Sequence, residues 1–108
     1  MVQISPGEAN ALMARGEVDV IDVREPSEWS CGHIAGSRLV PLGRFRASPK
    51  GALSRDGVVF VCAAGIRSQT AARIAEASGF VRVYNLVGGT RAWAGAGLPL
   101  VRELAAVG

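Results

Sequence analysis

The chain has 108 residues, of which 49% are hydrophobic and 19% charged, with 14 glycines and a net charge of +3. That apolar content excludes intrinsic disorder and the lack of a glycine period excludes collagen. No stretch approaches the ~18 consecutive apolar residues of a membrane-spanning helix. One soluble domain over residues 1–108 is expected, large enough to bury roughly 65% of its unfolded surface without disulfide or metal support.

Ser5-Pro6-Gly7-Glu8 carries the signals of a helix start. Ser5 can cap, Pro6 suits the first helical position, and Glu8 is placed to close a capping box. The helix is predicted over 9–15, ending at Gly16. Residues 18–23 (VDVIDV) are short and β-branched and read as a strand, followed by a short helix over 26–31 that Gly32 ends. Residues 39–40 read as a brief strand, 41–47 as a short helix or turn, and the polar stretch 48–57 as a surface connection. VVFV at 58–61 is nearly continuous in apolar character, as expected of a strand covered on both faces of a parallel sheet. An alanine-rich helix over 68–78 ends at Gly79, a strand spans 81–84, Gly88-Gly89 makes a turn, and a last compact helix covers 90–94. Strands separated by helical patterns predict an α/β fold with a parallel sheet of four or five strands.

The positive charge is unevenly placed. Residues 1–54 balance Glu8, Glu17, Asp19, Asp22, Glu25 and Glu28 against Arg15, Arg24, Arg38, Arg44, Arg46 and Lys50. Residues 55–108 hold Asp56, Glu76 and Glu103 against Arg55, Arg67, Arg73, Arg82, Arg91 and Arg102. The excess is spaced out, without the basic run and interleaved aromatics of a nucleic-acid groove. A local anion site is the more economical use of it. Two cysteines, Cys31 and Cys62, cannot build a disulfide framework, and with the single His33 they do not suggest a zinc site. The N-terminus lacks a basic segment followed by an apolar one, so a cytoplasmic, reducing compartment is expected.

The chemistry concentrates at Cys62. A buried strand ends there, the short loop Ala63-Ala64-Gly65-Ile66 follows, and a helix begins near Arg67 and Ser68. Ligands of open α/β sheets bind beyond the carboxyl ends of strands. A loop turning into a helix aims several N–H groups at one spot, which forms an anion-binding nest. Small residues let a ligand approach the backbone, and Arg67 adds positive charge. Each factor favours thiolate over thiol, so a lowered Cys62 pKa is predicted. His33 is remote in sequence, which makes the activation electrostatic and not that of a Cys–His pair.

These segments, in order, resemble a single-domain member of the rhodanese family. The matching residues are Asp22-Val23-Arg24-Glu25-Pro26, Glu28-Trp29, Gly32-His33-Ile34-Ala35-Gly36-Ser37, Pro41-Leu42, the Cys62–Ser68 loop and Gly79-Phe80. Asn85-Leu86-Val87-Gly88-Gly89 with Trp93, and Gly97-Leu98-Pro99, complete the pattern. The resemblance implies a three-layer α/β/α domain and sulfur transfer through a Cys62 persulfide, with no cofactor. The implied donor is thiosulfate or a persulfide, and the acceptor cyanide, a thiol or a protein. The N–H groups of Ala63, Ala64, Gly65, Ile66, Arg67 and Ser68 would then cradle the persulfide sulfur and the leaving anion. Arg67 would recruit the donor, and Ser68 would donate a hydrogen bond or cap the helix.

Related phosphatases and arsenate reductases place an arginine six positions after the cysteine. Here that position is Ser68 and Arg67 is at the fifth, so the shorter cradle suits sulfur better than a phosphoryl group. A persulfide-carrying module that serves a partner protein is the alternative reading. Asp22 and Arg24 are expected to form a partly buried ion pair tying the loop to the sheet, with tuning of Cys62 as a second possibility. His33 is expected to be a hydrogen-bonded loop residue, and Cys31 an incidental thiol. Trp29 and Trp93 read as core aromatics.

Overall fold

The computed structural model describes residues 1–102; Glu103, counted above among the acids, lies outside them. The chain runs through β1 (Val2–Ile4), α1 (Pro6–Ala14), β2 (Asp19–Asp22), α2 (Pro26–Ser30), β3 (His33–Ile34) and β4 (Arg38–Leu39). It continues through α3 (Leu42–Ala47), α4 (Pro49–Ala52), β5 (Val58–Val61), α5 (Arg67–Ala77), β6 (Val83–Leu86), α6 (Gly89–Gly95) and β7 (Leu100–Val101). Five strands form one sheet in the order β1-β6-β5-β2-β4, and every neighbouring pair is parallel. β3 and β7 pair antiparallel as a separate ribbon. The expected parallel α/β sheet is therefore present, at the upper of the two strand numbers.

β5 shows why the sheet needs helices on both sides. All four of its residues are buried, and they alternate between two cores, as a side-chain period of two requires. Val58 and Phe60 face one core with Phe45 of α3 and Ala71, Ala72 and Ala75 of α5. Val59 and Val61 face the other with Ala9 of α1 and Trp93 of α6. The three small alanines let α5 lie close to the sheet, and Phe45 fills the remaining space against Phe60 with ring centroids 5.2 Å apart. Each buried side chain of Val or Phe size contributes about 1.5–3 kcal/mol, so this central strand anchors both layers.

The capping box of α1 forms as expected, with Glu8 N–H donating to Ser5 Oγ at 3.1 Å and Ser5 N–H donating to Glu8 Oε1 at 3.0 Å. Four elements escape the sequence reading. β1 pairs only with β6 at the sheet edge and buries only Ile4. β3 and β7 are two residues each and owe their strand character to one another. α4 is a single turn begun by Pro49 inside the predicted surface connection. The strand predicted at 81–84 shifts to Val83–Leu86 for a visible reason. The Asp56 carboxylate accepts the N–H groups of Val81 and Arg82 at 3.0 and 2.9 Å, which draws the first two residues out of the ladder. Among the described residues, no helix is long and apolar enough to cross a membrane.

Candidate active site

Cys62 follows β5 directly, at the edge of the sheet where β2, β5 and β6 all end. Its side chain is buried in the core shared with α5. The sulfur accepts hydrogen bonds from Gly65 N–H at 3.1 Å and Ser68 N–H at 3.4 Å, and the Ser68 hydroxyl lies 3.3 Å away. Of the N–H groups expected to face the sulfur, these two make the bonds, and Ala64 adds to the field that lowers the thiol pKa.

The carbonyls of the same loop are held away from the sulfur. Thr90 N–H donates to the Cys62 carbonyl at 2.9 Å and Arg91 N–H to that of Ala63 at 3.1 Å. Gln69 Nε2 donates to the Gly65 carbonyl at 3.0 Å, and Asn85 Nδ2 approaches it at 3.4 Å. With the oxygens engaged outside, the peptide dipoles present their positive ends to the sulfur. Two glycines permit the close approach this needs. Gly65 has φ +91°, and a Cβ there would lie 2.9 Å from the Gly88 nitrogen. Gly89 has φ +60°, and a Cβ there would lie 2.2 Å from the Cys62 carbonyl oxygen. An L side chain at either position is excluded by both backbone conformation and space.

Burial alone would push the Cys62 thiol up, because a buried thiolate loses its hydration. The Ser68 hydroxyl and the N–H groups of Ser68, Gly65 and Ala64 outweigh that and hold the thiol below its ordinary range. The first turn of α5 points its dipole at the same atom. The arrangement stabilises negative charge on sulfur, the form in which a cysteine is nucleophilic.

Arg67, expected as a positive charge that recruits the donor, is paired with a carboxylate. Its guanidinium makes a bidentate pair with Glu28, Nη1 to Oε1 at 2.7 Å and Nη2 to Oε2 at 2.8 Å. The hydrogen bonds from Arg67 hold the Glu28 carboxyl down to about 2. Asp22 and Arg24 form the buried pair that was anticipated, with Nη2 to Oδ2 at 2.8 Å. Asp22 Oδ1 also accepts the Arg24 N–H at 3.0 Å, and Arg24 Nη2 donates to the Gly32 carbonyl at 2.8 Å. This pair ties the end of β2 to the turn after α2. His33 lies in a strand, not a loop, and is buried. Its ring stacks on Trp29 at 3.6 Å, and Nδ1–H donates to the Trp29 carbonyl at 3.1 Å.

The profile described as a rhodanese-like domain matches residues 5–96. The chain belongs to the rhodanese-like family. YqhL of Bacillus subtilis is 35% identical over 79 residues, which cover 73% of this chain and 63% of YqhL, so the match spans less than two thirds of that relative. The thiosulfate sulfurtransferase GlpE of Pseudomonas fluorescens is 37% identical over 91 residues, covering 84% of this chain and 83% of GlpE. The crystal structure of a rhodanese-related protein from Thermoplasma volcanium matches with a TM-score of 0.85 and 31% identity, over 95% of this chain and 100% of the other.

Within this rhodanese-like domain, the sequence reading missed four contributors to the Cys62 surroundings. Glu28 has a local signal, three residues after Glu25 at a helix start, but that signal accounts only for its capping role. Thr90 and Arg91 act through backbone N–H groups, which leave no mark on residue type. Asn85 is a polar residue in a buried strand. That irregularity could have marked it as a partner for a loop carbonyl.

Proposed function

We propose that the protein is a sulfurtransferase, acting as one domain, that carries sulfane sulfur on Cys62 as a persulfide. The observation that carries this reading is the inverted loop, with N–H groups turned in on the sulfur and carbonyls held outside. The Cys62 thiolate attacks the outer sulfur of thiosulfate. A new S–S bond forms at Sγ, the donor's S–S bond breaks, and its electron pair leaves with sulfite. A persulfide donor reacts in the same sense and releases a thiolate. In the second half, cyanide, a thiol or a protein nucleophile takes the terminal sulfur, and the electron pair returns to Cys62.

The added sulfur carries negative charge one bond beyond Sγ, and the N–H groups of Ala63 through Ser68 are the donors available to it. The Ser68 hydroxyl supports the thiolate before and after transfer. A compartment that keeps Cys31 and Cys62 reduced suits this cycle, and the cytoplasm is the one we propose.

Incubation with thiosulfate or glutathione persulfide, followed by intact-mass and peptide mass spectrometry, is expected to place one added sulfur on Cys62. Cys62→Ser should neither load nor turn over. Equal turnover in that variant would remove this reading.

A further inference from the structure

Glu28 stands beside the proposed sulfur site without a part in the scheme above. It is fixed from two directions. Both carboxylate oxygens hold Arg67, and Oε1 also accepts the Glu25 N–H at 3.1 Å as part of the α2 capping box. The carboxylate is therefore placed by its own helix and is not merely drawn in by the arginine. The pair remains open to solvent, with the Glu28 side chain 33% and the Arg67 side chain 39% exposed, so an incoming anion can compete for it. Apolar side chains are also exposed around the loop, beside the exposed Arg91. Ile66, in the loop itself, is 73% exposed, and Val87, next to the Gly88 backbone on which Gly65 packs, is 48% exposed.

We infer that Glu28 is a specificity-determining residue, which turns Cys62 away from the thiosulfate dianion and toward organic persulfides of low charge. The inference rests on the sulfur-transfer reading above. Attack on thiosulfate brings a dianion up to a thiolate, whereas attack on a persulfide brings a neutral molecule or a monoanion. A free guanidinium at the loop would lower the first barrier far more than the second, because Coulomb energy scales with the donor's charge. Glu28 cancels most of that attraction. Ile66 and Val87 offer contact to an organic substituent that thiosulfate lacks.

The test is Glu28→Gln, which removes the charge, keeps one oxygen for the Glu25 N–H and Arg67 Nη1, and leaves Arg67 Nη2 without its acceptor. Steady-state constants are measured with thiosulfate and with the persulfide of a neutral thiol, 2-mercaptoethanol, at low and high ionic strength. The expected result is a thiosulfate KM lowered roughly five- to tenfold at low salt, with a smaller change in kcat. The ratio of kcat/KM for thiosulfate to that for persulfide rises accordingly. Salt should shrink the gain, and adding Arg67→Leu to the variant should abolish it. A merely structural Glu28 would move the constants for both donors together.

An unchanged or lowered ratio overturns the inference. Persulfide formation on Cys62 of the unaltered protein would still leave sulfur transfer standing in that case. Failure of both donors to load Cys62 would overturn both.

Discussion

Two arginine–carboxylate pairs flank α2, alike in chemistry and unlike in surroundings. Arg24 and Asp22 lie almost entirely out of solvent, with side chains 7% and 1% exposed. Their remaining hydrogen-bonding capacity goes to the backbone at Arg24 and Gly32. Arg67 and Glu28 make an equally good bidentate contact across 39 positions of sequence, but water reaches them both. A buried pair that is bonded on every side acts as a fastener, because losing one partner strands the other in a medium that cannot solvate it. An open pair contributes little to stability and stays exchangeable. The first therefore belongs to the scaffold of the Cys62 edge, and the second is free to serve its chemistry.

The comparison can be broken most directly at Asp22. Asp22→Ala leaves the Arg24 guanidinium buried without its counter-charge and is expected to lower the unfolding free energy by about 3–5 kcal/mol. That is a large part of the roughly 5–15 kcal/mol available to a domain of this size. Urea denaturation followed by circular dichroism measures it, and a loss below about 1 kcal/mol would place the two pairs in one class. Arg67→Ala is the matching experiment at the open pair. Water around both side chains screens the contact, so the same measurement should give a loss of no more than about 1 kcal/mol.

The finest distinction comes from acid. Glu28 loses its proton more readily in the folded protein than in the unfolded chain, its carboxyl having fallen from 4.5 to about 2. Its contribution is therefore complete above pH 4.5 and is lost as the pH falls toward 2. A stability profile over that window should have a shallower slope in Glu28→Gln than in the unaltered protein. Identical slopes would show that the pair does not couple to folding.

How much of this was legible from residues alone depended on the range of each interaction. The α1 capping box, the VVFV strand and the glycine-containing loop after Cys62 are written in neighbouring residues, and all three appear as expected. The Asp22–Arg24 pair is also local, two positions apart, and forms as expected, though more deeply buried than the partly buried pair the sequence suggests. β3 and β7 could not be read, since two residues carry no period and each strand exists through the other. The Arg67–Glu28 pair could not be read, because its partners lie 39 positions apart. Gly88-Gly89 was recognisable as a turn requiring positive φ. Its second duty, admitting the Cys62 carbonyl to within contact of the Gly89 backbone, appears only when the chain is folded.

That contact makes the cysteine loop and the start of α6 a lock and its keeper. The loop keeps its peptide orientation because Thr90 and Arg91 hold two of its carbonyls from across the sheet edge, and they reach them only because Gly89 has no side chain. Transplanted alone onto another strand–helix junction, residues 62–68 would keep their composition and lose the restraint that turns their dipoles inward. Moved together with residues 88–91, they would keep it. The transferable unit is the interlocked pair of segments, although the chain connects them only through α5 and β6.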